Sequence, residues 1–306
     1  MSPMVRQEGV ALVGVLWAVT LLAIMAGSFS LTLQRDAGLL TTTQDRARAM
    51  ALADAGVHYA MLKLASPNQP NQDPLKKWKA DGRPYVVELP GGRVRLRIFD
   101  EGGKLNINLA QQVTWTALLA SHMGSQEEAA VLANAIWDWR DPDDLPSLNG
   151  AEIKEYQAVG KAYGPQNRNF QVLEELQMVL GMTPSLYSRL EPMLTTYNNQ
   201  AGINPAVASR ETLLAIPGMD PAVVEEYLVL RQSTPAGAPV PPLAIPLAAG
   251  IPVSGARDLA YTVWAEANLP ERQSAGLVAV IKRERAANGS PFVIASWKAL
   301  TVGHGS

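Results

Sequence analysis

The chain has 306 residues, 47% of them hydrophobic, so it is long enough and apolar enough to bury a substantial core. Its net charge of −2 excludes a global basic excess of the kind that marks nucleic-acid binders. Cysteine is absent, which excludes a disulfide framework and cysteine-ligated metals and leaves the compartment open.

From Gly9 to Gln34 no residue is charged. The run from Val10 to Leu33 is long enough to cross a bilayer, which takes roughly 20 apolar residues as a helix. Arg6 precedes the run and the next basic residue is Arg35, which orients the N-terminus toward the cytoplasm. Three readings compete. A cleaved secretory signal would be cut near Ala26-Gly27-Ser28, but its apolar run is normally only roughly 7–15 residues. A plain signal anchor fits the length. A prepilin signal has a short polar leader ending in glycine and an apolar helix that stays on the mature protein, and MSPMVRQEG followed by VALVGVLW has that form.

Helical periodicity continues beyond the apolar run. Ala47, Met50, Ala51, Ala55, Ala60 and Leu64 give the stretch Gln44 to Ala65 an apolar face opposite its charges. Unless Gly38 marks a break between two helices, Val10 to Ala65 forms one rod of roughly 80 Å. Pro67 to Pro74 reads as a loop. A hairpin follows: Tyr85 to Leu89 alternates, Pro90-Gly91-Gly92 turns, and Val94 to Phe99 alternates again.

Between Lys104 and Arg231 the pattern turns helical, with segments at Trp115–His122, Gln126–Arg140, Gly150–Val159, Gln171–Leu180, Pro184–Leu194, Ser209–Ile216 and Pro221–Arg231. Ser233 to Gly255 holds six prolines and little charge and reads as an extended linker or exposed loop. Three alternating stretches then close the chain, beginning at Asp258, Gly276 and Pro291, with turns at Asn268-Leu-Pro270 and Ala287-Asn-Gly289. The simplest assembly is an α+β fold: a long N-terminal helix packed on one antiparallel sheet, with a large helical domain inserted between its strands.

Several pieces in this order carry a family likeness. They are the leader and apolar helix, Asp100-Glu-Gly-Gly-Lys-Leu-Asn-Ile-Asn108, and Ala135-Ile-Trp-Asp-Trp-Arg-Asp-Pro-Asp-Asp144 with Gly150-Ala-Glu152. Val172 to Leu176, Leu180 to Pro184, Ile203-Asn204-Pro205, Leu214 to Gly218 and the final strand triplet complete the set. Taken together, the chain resembles the general secretion pathway protein K family, the type IV pilin-like minor pseudopilins of type II secretion.

The resemblance implies a prepilin leader at 1–9, a transmembrane helix at 10–33 and its periplasmic continuation at 34–66. It implies a pilin-like sheet domain from 67–103 and 257–306, an inserted helical domain at 104–232 and a Pro-rich segment at 233–256. It also implies a structural, non-enzymatic role in a tip complex that initiates the pseudopilus for export of folded proteins. Partners would be other minor pseudopilins of I, J and H type, the inner-membrane assembly platform, prepilin peptidase, membrane lipid and secreted protein substrates, with no nucleic acid. The implied location is the bacterial inner membrane, single-pass, with the C-terminal domain in the periplasm.

Gly9 would precede the bond cut by prepilin peptidase, where a side chain would obstruct close approach to the backbone. Val10 would become the methylated N-terminus, although the family often has Phe or Met there, and Glu8 makes the leader less basic than usual. Gly14 takes the fifth mature position, where ordinary pilins place Glu. A carboxylate in the bilayer is costly unless paired. In a filament it meets the amine of the preceding subunit, and a first subunit has none, so Gly14 suits a tip.

Asp138, Asp141, Asp143, Asp144, Asn149 and Glu152 gather oxygens that suit Ca²⁺, which takes six to eight, and related proteins bind calcium. The competing reading is a solvated loop with Asp141 and Asn149 as caps. Ile203 to Arg231 resembles a helix-hairpin-helix DNA-binding motif, the alternative function being DNA binding for uptake. Asp220 stands where DNA binders carry a second glycine, and its charge would repel phosphate. His58, His122 and His304 are scattered, and no nucleophile-elbow, zinc-protease or P-loop motif is present.

Overall fold

A computed structural model describes residues 8–65, 78–235, 238–246, 249–255, 257–269, 274–286 and 289–300. The leader before Glu8, the loop Pro67 to Pro74, His304 and parts of the two strand-connecting turns therefore lie outside the described residues.

The first helix, α1 (Glu8–Ala65), is a single run of 58 residues with no break at Gly38. At 1.5 Å per residue it is about 87 Å long. Its two halves face different surroundings. Between Leu12 and Ser30 the apolar side chains are exposed, and none of that span is buried inside the protein. From Asp45 onward one stripe is covered: Ala49, Leu52, Ala53, Val57 and Ala60 recur at helical spacing and are buried. Small residues on the stripe let the backbone approach the sheet closely. A Cβ on Gly56 would sit 2.7 Å from Val94 Cγ1.

That sheet has five antiparallel strands: β1 (Asp81–Leu89), β2 (Gly92–Asp100), β5 (Ala260–Asn268), β6 (Ser274–Arg283) and β7 (Phe292–Leu300), in the order β1-β2-β5-β6-β7. The period-2 pattern works as expected on β2. Val94, Leu96 and Ile98 point at α1, together with Val263, Leu277, Ala279 and Ile281 of the later strands. Strands β2 and β5 pair in register from Arg93↔Asn268 to Asp100↔Tyr261. Yet about 160 residues of chain separate them, and these form the helical module. The α+β architecture with a helical insertion between strands is thus the observed one.

The module has its own hydrophobic cluster. Helices α2 (Gln112–Met123) and α3 (Gln126–Arg140) are joined by Gly124, in the left-handed region at φ 74°, and by Ser125, which caps α3 by accepting from Glu128 N. Trp139 stacks on Phe170, centroids 6.1 Å apart, with Tyr156 and Tyr163 packed on its sides. Two-residue strands β3 (Leu105–Asn106) and β4 (Leu194–Thr195) pair in parallel. Short helices α4 (Ile153–Ala158), α5 (Pro184–Leu190) and α6 (Arg210–Leu214), and the longer α7 (Pro221–Ser233), complete it.

Four local expectations change. Of the apolar face expected on α1, Ala47, Ala51 and Ala55 are exposed and Ala60 is buried, because the stripe that meets the sheet is Ala49, Leu52, Ala53, Val57 and Ala60. Residues Leu173–Met178 form a 3-10 turn, not an α-helix. The segment Pro184–Leu194 stops being α-helical at Leu190, tightens into a 3-10 turn around Pro192 and ends in β4. The Pro-rich segment, expected as a linker or exposed loop, is packed. Leu243 and Ala249 join the module's core, Thr114 Oγ1 donates to Gly250 O, and Ile203 exchanges backbone hydrogen bonds with Pro252 and Ser254. Proline gives no periodicity, so sequence cannot display this burial.

Candidate functional site

Two regions carry the candidate residues. The first is the start of α1. Glu8, Gly9 and Val10 form its first described turn. Gly14 lies four residues on, with open space where a Cβ would be. The helix therefore presents a bare backbone at this position, with no carboxylate among the apolar side chains that follow.

The second region is the acidic loop after α3. Asp138 is fully buried, and its carboxylate accepts from Ser147 N at 3.2 and 3.1 Å and from Ala151 N at 2.8 Å. It gathers the loop around itself, and a side chain on Gly150 would collide with its Oδ2. Asp143 Oδ1 accepts from Leu145 N, and Asp144 Oδ1 accepts from Asn167 Nδ2 at 2.8 Å. Asn149 adopts φ 57°, a left-handed turn position that Asn tolerates. Among the described residues, three buried oxygens of this region find no partner: Asp141 Oδ1, Glu152 Oε1 and Asn167 Oδ1. Burial, reinforced by Asp138 and Asp141, pushes Glu152 up to about 7. Burial, with Asp143 and Asp138 nearby, pushes Asp141 up to about 6.

As they stand, no three acidic or histidine side chains among the described residues converge on one point. Of the six residues expected to offer oxygens to calcium, Asp138 and Asp143 are engaged by backbone amides. Asn167 was not foreseen; it lies 23 residues beyond Asp144 and arrives only because the loop folds back across Trp139, whose carbonyl accepts from Asn167 N.

The remaining motifs prove to be joints. In Asp100–Asn108, Asp100 accepts from Gly102 N at 2.8 Å and from Asp258 N at 2.7 Å, tying the exit from β2 to the re-entry into β5. Glu101 accepts from Thr262 Oγ1 on β5 and from Lys104 Nζ. Gly103 lies against the Ala208 backbone, where a Cβ would not fit. Asn108 exchanges two hydrogen bonds with the Phe170 backbone. Arg140 donates to Ile107 O and Ala110 O, clamping α3 on this segment, and burial lowers it to about 10.

The helical hairpin is α6, the Ile216-Pro217-Gly218 turn with Gly218 at φ 72°, and α7. Asp220 caps α7 by accepting from Ala222 N, so a carboxylate occupies the place where a phosphate would meet helix amides. Arg210 is paired with Glu225, and Arg231 points inward to Pro205 O and Ala208 O.

Comparison with known proteins agrees with this layout. The family described as Type II secretion system (T2SS), protein K, matches residues 96–199. Type II secretion system protein K of Klebsiella pneumoniae is 31% identical over 229 residues, covering 69% of this chain and 70% of that protein. The protein of the same description from Pseudomonas aeruginosa is 28% identical over 245 residues, 74% of this chain and 72% of that one. A chain in the crystal structure of the GspK-GspI-GspJ complex from the enterotoxigenic Escherichia coli Type 2 Secretion System superposes with a TM-score of 0.58 at 18% identity, covering 84% of this chain and 96% of that chain.

Proposed function

Because the chain belongs to the type II secretion system protein K family, we infer that it is a minor pseudopilin that caps and initiates the pseudopilus during protein export. The observation that carries this reading is 31% identity across 70% of the Klebsiella protein, together with a continuous α1 whose first half is apolar and uncovered. Its partners in this reading are other minor pseudopilins, supported by the fold shared with a chain of the GspK-GspI-GspJ complex. The role is structural, not catalytic. The anchor sits in the inner membrane with the sheet and module in the periplasm.

Prepilin peptidase cleaves after Gly9 and Val10 is methylated. Mass spectrometry of the mature N-terminus, with and without the peptidase, tests this. A methylated Val10 that vanishes without the enzyme is expected, and an intact Met1 in its presence would sink it.

A second reading concerns calcium. The residues left to hold it are Asp141, Glu152 and Asn167, whose unpartnered oxygens fit a hard cation, with Asp144 beside them and Asp138 shaping the loop. Bound calcium would supply the counter-charge these carboxylates lack. Thermal unfolding should then rise by several degrees with millimolar calcium over a chelator, and Glu152→Gln should abolish the difference. Equal melting in both conditions would overturn the site.

A further inference from the structure

The sheet face turned away from α1 bears a ladder of arginines on β2, at Arg93, Arg95 and Arg97. Two rungs have cross-strand acids. Arg93 Nε donates to Glu88, its register partner, at 2.7 Å, and Arg95 reaches Glu266, also its register partner, at 3.9 Å. The third has none: Arg97 stands between Pro84 and Trp264. Its Nε donates to Gly82 O and its guanidinium lies over the Phe99 ring, 5.0 Å from the centroid. Among the described residues no carboxylate comes within ion-pair distance, and its terminal nitrogens have no hydrogen bond.

Arg97 opens into a pocket of about 260 Å³ between the β1–β2 hairpin and the α6–α7 hairpin, shared with Arg83, Phe99, Ser209, Arg210 and Arg231. Arg83 is held by Asp81 and Arg210 by Glu225, so these charges cancel. Arg231 makes no ion pair among the described residues and is only partly offset, by Asp81, which it shares with Arg83. It is only 5% exposed, its Nη1 is spent on two carbonyls, and its Nε is buried without a partner. Exposed Glu211 forms no ion pair among the described residues. Arg97, with no acid, and Arg231, sharing Asp81 with Arg83, thus leave the cleft with more positive than negative charge, between protein walls that strengthen the field.

We propose that this pocket is a docking site for an acidic side chain of a partner polypeptide, which supplies the carboxylate missing from the third rung. A guanidinium fork with free terminal nitrogens matches a carboxylate geometrically. The volume lies below the roughly 300–1,000 Å³ usual for small-molecule sites, and suits one inserted side chain. The rim favours a polypeptide over a free anion. Val229 borders the pocket and is 69% exposed, and Val86 and Trp264 are exposed on the adjoining sheet. Because sheet and module each form one wall, the occupant also fastens these two parts together.

The test is titration of the full chain in detergent micelles with a hexaglutamate peptide, a hexaserine peptide and inorganic phosphate. Hexaglutamate binds with an affinity that falls as salt rises, and hexaserine does not bind. Arg97→Gln weakens hexaglutamate binding by about tenfold or more, as expected for loss of a charge-assisted pair. Arg97→Lys, which keeps the charge and protects against a folding artefact, gives an intermediate loss. Arg95→Gln, one rung away, leaves binding unchanged. Equal affinity in wild type and Arg97→Gln, or phosphate binding as tightly as the peptide, would overturn the proposal.

Discussion

Asp100 shows how one residue can hold a fold topology together. It lies at the last position of β2, is buried, and accepts amide protons from Gly102 and Asp258. Burial pushes its pKa up from 3.8 to about 7, with Asp258 and Glu101 adding repulsion that the two amides only partly offset. The folded state therefore holds this proton more tightly than the unfolded chain. Stability from Asp100 is greatest below about pH 4 and is lost as pH rises toward 7, with a ceiling on the order of 4 kcal/mol. Asp100→Asn should accordingly reduce the fall in melting temperature between pH 5 and pH 8. Parallel pH profiles for the variant and the wild type would show that Asp100 stays ionised in the fold.

At the scale of elements, α1 decides the architecture because its two halves obey different solvents. Among the described residues nothing buries Leu12–Ser30, whereas the stripe from Ala49 to Ala60 is shaped to lie on the sheet. Gly56 marks the closest approach, over Val94 and Leu96. Gly56→Leu would lift the helix from β2 and should cost about 1–3 kcal/mol in denaturant unfolding, as overpacking does. An unchanged midpoint would mean that this contact is looser than described.

The elements also show what sequence could disclose. Gln126–Arg140 was readable to the residue, because Ser125, the acidic first turn and the apolar spacing all agree. The hairpin and the final strands were readable from alternation. The buried Pro-rich segment, the β3–β4 pair and the 3-10 turn at Leu173–Met178 were not, since two-residue pairings and packed prolines leave no period. Among site residues, the glycines of α1 and the acids after α3 stood out by type and spacing. Asn167 and Arg231 did not, because long-range folding alone gives an ordinary polar residue a buried oxygen or an unpaired charge.

The described residues form two hydrophobic clusters, one under α1 and one inside the module. Polar contacts run between them: Glu101 with Thr262, Lys104 with Thr262, Lys79 with the Thr234 carbonyl, and Lys298 with Glu174. Such a body places a broad helical head on a rod whose first half is apolar and uncovered, a form suited to the end of a filament and bulky for its interior. Assembly with other minor pseudopilins is tested by affinity purification of the full chain from membranes containing the I-type and J-type pseudopilins. A stoichiometric complex of the three chains is the predicted result. Recovery of this chain alone, with both candidates intact in the same membranes, would rule that assembly out.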